Sequence, residues 1–367
     1  MDFDFLKKKL DERKNSGNLR QLPGQKGLID FVSNDYMGLA RNEELAEIIR
    51  KREKEESPGI GGTGSRLLSG NHDYYSQVED YLKSVFEAEG VLIFNSGYHA
   101  NQALVSSVAQ KGDTIIYDQL AHVCLKEGAW LSKAETIAFR HNDMEDLEQK
   151  LRQAIGRKFV VTETVFSMDG DIAPLRAILD LCEQYNGYLI VDEAHSTGSF
   201  GKDGSGLLQS LMLAQKVFAR VYTFGKAMGV HGACVAGSKI LIDYLVNFGR
   251  PFIYTTSLPP LSLISIEESF KYLASHIELQ QALQHKIRLF RERFTDSVSE
   301  TAIQPVLIGS NEKAREASLK LAGQGFDVRP ILSPTVQRGS ERLRISLHTF
   351  NTSDQIDELT STLKNIL

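Results

Sequence analysis

The chain has 367 residues, enough for about two or three domains around a substantial buried core. With 42% apolar and 24% charged residues, 29 Gly and 9 Pro, its composition excludes disorder or a fibrous repeat as the main state. A formal charge of -5, from 42 basic against 47 acidic residues, excludes a general electrostatic drive towards nucleic acid or an anionic membrane.

In chain order, MDFDFLKKKLDERKNSG reads as a charged helix without the apolar centre of a secretory signal, followed by the polar link KNSGNLRQLPGQKG. Residues 1–40 are expected to form an arm packed on the main body. No apolar run approaches the ~20 residues needed to span a bilayer. Residues 41–265 alternate short apolar runs with amphipathic stretches, the period of strand-helix-strand units. Strands are predicted at 91–94, 114–118, 136–139, 159–166, 188–195, 220–225 and 234–238, and helices at 99–110, 120–131, 143–154 and 173–185. The fold class is therefore α/β, with a mostly parallel central sheet and helices on both faces. From about Leu261 long helical stretches take over, then AIQPVLIG, a helix through 312–324, FDVRPI, RLRISLH and a closing helix from Ser353, so residues 266–367 read as a smaller α+β domain. Cys124, Cys182 and Cys234 are odd in number and widely spaced, which predicts no disulfide framework, no metal pair and a reducing cytoplasm.

Open parallel sheets bind ligands beyond the carboxyl ends of their strands, so the residues closing each apolar run matter most. Gly59, Gly61 and Gly64 match G-x-G-x-x-G, but a charged helical run precedes them instead of a buried strand, so they are read as backbone approaching a ligand or a second subunit. In VLIFNSGYHAN a strand runs through Asn95, Ser96, Gly97 and Tyr98 into a helix, which serves equally as an anion site or as an ordinary helix cap. In YLIVDEAHSTG, Asp192 ends a strongly apolar run and His195 follows; a carboxylate at that depth requires a cationic partner, either a protonated ring nitrogen or a structural ion pair, and no further cluster has metal-ligand spacing. Lys226, in TFGKAMG, has small neighbours that pack its stem and desolvate its amine, favouring a Schiff-base nucleophile over a solvated surface charge. A phosphate-binding turn, a strand-end Asp and a later strand-end Lys, in that order, meet the needs of pyridoxal phosphate chemistry.

On these residues, and on FVSNDYMGLA, GGTGSRLLSGN, DQLAHVCLKEG, FRHNDMEDLE, VTETVFSMDGDIAPL, IYTTSLPP and SPTVQRGSERLRISL, the chain resembles the α-oxoamine synthase family of fold type I pyridoxal 5'-phosphate (PLP) enzymes over nearly its whole length. The resemblance implies that Lys226 carries the cofactor and moves the substrate α-proton, that Asp192 pairs with the ring nitrogen, and that His122 stacks on the ring. It implies that Ser167 and His195 bind the 3-hydroxyl, and that Ser96, Gly97, Tyr98 and Thr223 hold or wall the phosphate. Thr256 is expected to reach the phosphate of a neighbouring subunit, hence a homodimer with shared sites. Arg344, with Asn34, is expected to take the amino-acid carboxylate, and Arg20 and Thr335 to line the acyl-donor path. The implied reaction is a decarboxylative Claisen condensation of L-alanine with a pimeloyl thioester in biotin biosynthesis. Serine or glycine with another acyl thioester, a lyase or aminotransferase on the same fold, and a non-catalytic subunit are the alternatives, the last disfavoured by Lys226 and Asp192 together.

Overall fold

A computed structural model describes residues 3–20, 22 and 27–367. In chain order its strands are β1 Ile29–Asp30, β2 Gly90–Phe94, β3 Thr114–Asp118, β4 Glu135–Phe139, β5 Lys158–Glu163, β6 Gly187–Asp192, β7 Ala219–Thr223, β8 Ala233–Gly237, β9 Ile303–Leu307, β10 Phe326–Asp327, β11 Arg329–Ile331 and β12 Arg342–Ser346. The chain divides into two compact units: a larger one of residues 34–167 and 171–283, and a smaller one of residues up to 33, 168–170 and 284–367. The boundary expected at 265 falls inside the helix Pro260–Ser275, whose buried Leu263, Ile264, Ile266 and Phe270 belong with the larger unit. The boundary expected at 40 likewise lies inside the larger unit, which begins at Asn34.

The larger unit is built on a seven-stranded sheet in the order β2-β8-β7-β6-β5-β3-β4. β4, β3, β5, β6 and β7 pair in parallel, and β8 runs antiparallel to both its neighbours. Successive side chains of a strand face opposite sides, so strands covered on both faces are apolar throughout. Ile115, Phe159, Val161 and Ile190 enter one core cluster, whereas Ile116, Val160, Leu189 and Val191 enter the other. Side chains start the intervening helices: Ser96 accepts from the His99 N–H before Gly97–Val108, and Asp143 accepts from the Asp146 N–H before Met144–Gln153. Pro174 stands at the N-cap of Leu175–Gln184, where its missing N–H costs nothing.

Several expected elements end earlier than the apolar runs that announced them. β5 stops at Glu163 and β6 at Asp192, where the chain turns to present polar side chains at the sheet edge. In the smaller unit an antiparallel sheet β11-β12-β9 lies with a parallel pair β1-β10. The closing helix Ser353–Ile366 buries Ile356, Leu359 and Leu363 and opens on a reciprocal Thr352–Gln355 capping box. The amino-terminal helix forms over Asp4–Asn15 with none of its residues buried, whereas Phe31, Tyr36, Met37 and Leu39 further along the first 40 residues are buried. Part of the polar link falls on residues 21 and 23–26, outside the described residues. Among the described residues no helix is long and apolar enough to cross a membrane.

One ion-paired histidine ties together three loops of the larger unit. His141 Nδ1 lies 3.0 Å from Asp118 at the end of β3, and its Nε2 lies 2.7 Å from Asp171. Burial works against the charged ring, but its hydrogen bonds to Asp118 and Asp171 carry its pKa up to about 10. A folded-state pKa raised from 6.5 makes this contribution complete below pH 6.5 and lost as pH rises through about 10. The thermal midpoint of the wild type should therefore exceed that of His141→Gln by a margin that shrinks from pH 6.5 towards pH 10. A margin independent of pH across that window would show that His141 is not held as a cation.

Candidate active site

At the carboxyl edge of the large sheet the strand ends enclose a cleft of about 280 Å³, at the small end of the range for small-molecule sites. Each wall comes from a different strand end. Ser96, Gly97 and Tyr98 follow β2, His122 follows β3, Glu163 ends β5, Asp192, Ala194 and His195 end β6, Thr223, Gly225 and Lys226 end β7, and His231 and Gly232 precede β8; Asn34, Asn101 and Cys124 complete the lining. A second cavity, of about 220 Å³, lies at the amino ends of β5 and β6 between Phe159, Tyr188 and Phe218. It is predominantly apolar, and its charged group, Arg157, is committed to Asp113 at 2.8 Å. The titratable groups converge in the first cleft, not the second.

Asp192 is 4% exposed. Its Oδ2 accepts from Asn101 Nδ2 at 2.7 Å and its Oδ1 from the Ala194 N–H at 2.8 Å. These bonds fix the carboxylate's orientation at the cleft floor. Beside it in the β5–β6 register is Glu163, whose Oε1 accepts from the His122 N–H at 2.5 Å. Burial, reinforced by the charge of Asp192, pushes the Glu163 carboxyl up to about 8.

The His122 ring is set by a local cap. Its Nδ1 accepts from the Cys124 N–H at 3.3 Å and lies 2.9 Å from the Cys124 Sγ, which leaves the proton of the neutral ring on Nε2. Burial lowers the pKa of this ring, with Asp192 opposing and Lys226 and Lys126 adding to the shift. Cys124 is a thiol, because burial and the nearby Asp192 and Glu163 raise its pKa. Gly97, first in the helix after β2, is required by space: an added Cβ would collide with Thr223 Cγ2.

The structure thus brings together Asn34, Ser96, Gly97, Tyr98, His122, Asp192, His195, Thr223 and Lys226 of the residues singled out from the sequence. Ser167 is half-buried and is not among the lining residues. Thr256 is exposed at the rim, where its carbonyl accepts from Asn95 Nδ2 at 2.8 Å. In the smaller unit, Arg344 is 9% exposed on β12 and donates to Ser346 Oγ at 2.9 Å, while Arg20 and Thr335 are exposed. Glu163, Asn101, Cys124 and Tyr36, which hydrogen-bonds His195, were not singled out. Glu163 carried a signal like that of Asp192, an acidic residue within the largely apolar run read as the strand 159–166. Asn101, Cys124 and Tyr36 carried none separable from ordinary helix and loop composition.

The sequence profile of the class I and II aminotransferase family matches residues 26–363. The 8-amino-7-oxononanoate synthase of Lysinibacillus sphaericus is 39% identical over 350 residues, spanning 94% of this chain and 89% of that protein. The protein of the same description from Alkaliphilus metalliredigens is 36% identical over 385 residues, spanning 100% and 97%. Among solved structures, serine palmitoyltransferase from S. paucimobilis, holding a PLP-myriocin aldimine, matches with a TM-score of 0.90 at 27% identity over 99% of this chain and 97% of that one. The 8-amino-7-oxononanoate synthase of Francisella tularensis matches with a TM-score of 0.79 at 30% identity over 93% and 97%. Sequence and fold agree along the full length, and the chain belongs to the class I and II aminotransferase family, as a fold type I enzyme of the α-oxoamine synthase kind.

Proposed function

We propose that this protein is a PLP-dependent acyltransferase that condenses L-alanine with a pimeloyl thioester, releasing the thiol, CO2 and 8-amino-7-oxononanoate, a step of biotin biosynthesis. The observation that carries the reading is the placement of Lys226, His122 and a buried, oriented Asp192 around one cleft, in a chain similar over its full length to 8-amino-7-oxononanoate synthases. The cleft's own residues fit the cofactor: a buried carboxylate suits a protonated ring nitrogen, and the Ser96-capped helix start, kept open by Gly97, suits a phosphate. When bound, PLP supplies an electron sink for a carbanion at the substrate α-carbon.

The protein's residues do the rest. Lys226 Nζ holds the cofactor, accepts the α-proton and later returns a proton to the same carbon. Asp192 keeps a proton on the ring nitrogen. His122 walls one face, with its Nε2–H as a donor, and His195 and Ser167 bind the 3-hydroxyl. Ser96, Gly97, Tyr98 and Thr223 hold the phosphate. Arg344, a planar guanidinium suited to bidentate binding, takes the amino-acid carboxylate together with Asn34. Arg20 and Thr335 are assigned to the acyl-donor path on sequence resemblance alone.

A homodimer completes the site in this reading, with Thr256 reaching the partner's phosphate. The apolar side chains of Ile60, Leu68 and Tyr254, 97%, 84% and 78% exposed, support a second copy covering this region. The three cysteines are buried and unpaired, in keeping with a cytoplasmic enzyme. The likeness to serine palmitoyltransferase at a TM-score of 0.90 favours serine with a long acyl chain as the second reading.

Incubating the PLP-loaded protein with alanine, glycine or serine and a panel of acyl-CoA thioesters, with products identified by mass, separates the two. Alanine with pimeloyl-CoA is expected to give one free thiol per 8-amino-7-oxononanoate. Preferred turnover of serine with palmitoyl-CoA would establish the second reading, and amino-acid turnover without thiol release would remove both.

A further inference from the structure

Tyr36 lies two residues beyond the cleft-lining Asn34 and is 1% exposed. Its hydroxyl donates to Asn34 Oδ1 at 3.0 Å and lies 2.8 Å from Nδ1 of His195, itself 6% exposed. A phenol has one proton to give. Spent on Asn34, it leaves the tyrosine oxygen as an acceptor, and the short contact to His195 then requires the proton to sit on Nδ1 of the imidazole. The three groups form a directional chain, His195 Nδ1–H to Tyr36 Oη–H to Asn34 Oδ1. In the neutral ring Nε2 is then an acceptor.

We infer that Tyr36 is a positioning residue which, anchored by Asn34, fixes the orientation and tautomer of His195, so that Nε2 can gain and lose a proton while Nδ1 stays bonded. The inference deepens the cofactor-binding reading of the cleft and rests on it. Nothing in the chain breaks when Nε2 changes state: both bonds of the tyrosine oxygen persist, and only the cleft side of the ring alters. The other titratable groups lining that cleft are Tyr98, His122, Cys124, Glu163, Asp192, Lys226 and His231. On the adjoining backbone, Asp35 is paired with Arg41, and Glu193 is buried and bonded to Ser196, Leu207 and Leu208.

The test uses the full-length chain loaded with PLP, without acyl donor. Tyr36→Phe removes only the hydroxyl and should retain PLP stoichiometrically while moving the pH midpoint of the bound cofactor's visible absorbance by about one unit, the worth of one hydrogen bond. An unmoved midpoint would overturn the inference. Ring nitrogen NMR with 15N-labelled histidine, His195 being assigned by its loss in His195→Gln, reads the tautomer with or without cofactor. The wild type should show the Nδ1–H form. Asn34→Ala, which deprives the phenol of its acceptor, should turn the hydroxyl towards Nδ1 and drive the ring to the Nε2–H form. An Nε2–H wild type, or an Asn34→Ala ring unchanged from wild type, sinks the inference, and the Asn34 variant decides should Tyr36→Phe fail to fold. A wild type that binds no PLP would defeat the cofactor reading alone, because the tautomer measurement still stands.

Discussion

Lys226→Ala is expected to lower thiol release from pimeloyl-CoA and alanine by at least ~10²- to 10⁴-fold, the range lost with a positioned proton-transfer group. The position explains why no neighbour can substitute. Lys226 follows β7 at the cleft edge, between an exposed Gly225 and an Ala227 that is 1% exposed, and its half-buried side chain lines the cleft. The other nitrogen bases lining the cleft are imidazoles, His122, His195 and His231, which cannot form the same lysine-type Schiff base. The variant should bind PLP without the visible band of the lysine-linked form. Retention of more than about a tenth of the activity would contradict this, since even the lower bound of a lost general base exceeds it.

Asp192→Asn is expected to reduce kcat by ~10²- to 10³-fold, the cost of removing one preorganised electrostatic partner from a site that excludes water. The substitution keeps the volume, and its geometry survives. Asn101 presently donates to Asp192, and its own Oδ1 is buried without a partner among the described residues, so a turned Asn101 amide can accept from the new one. The Ala194 N–H keeps an oxygen acceptor. What disappears is the negative charge that retains a proton on the cofactor nitrogen. A loss concentrated in kcat, with a folded protein and normal PLP content, distinguishes this from structural damage. A kcat within twofold of wild type would show that Asp192 has no such role.

Much of this architecture was legible because buried parallel strands are written as uninterrupted apolar runs and their ends as abrupt polar residues. β3, β6 and β7 were announced by TIIYD, YLIVD and RVYT, and the cleft followed from the residues closing them. Strand direction was not legible. CVAGS runs antiparallel as β8 between β2 and β7, yet its composition matches that of the parallel strands, because burial on both faces and not direction selects those side chains. The domain limits were obscured for a related reason. The helices Pro260–Ser275 and Glu278–Arg293 present one amphipathic stretch broken only at residues 276 and 277, and the division between the units falls at 283 and 284, inside the second helix.

Within the site, the groups that touch ligand were easier to find than those that hold them. Lys226 and Asp192 stand out as charges in apolar surroundings. Tyr36 and Asn101 hold His195 and Asp192 through hydrogen bonds that bridge 159 and 91 positions of chain, and no local pattern encodes such a partner. Glu163 was legible and overlooked. It closes β5 as Asp192 closes β6, the pairing of these two strands sets the carboxyls side by side, and burial together with the charge of Asp192 raises the pKa of Glu163.

The account stands most directly on the covalent attachment of PLP to Lys226. Borohydride reduction of the PLP-loaded protein, followed by proteolysis and mass spectrometry, should place a single pyridoxyl-phosphate group on the peptide containing Thr223 to Lys226. Modification of another lysine, or of none, would contradict it.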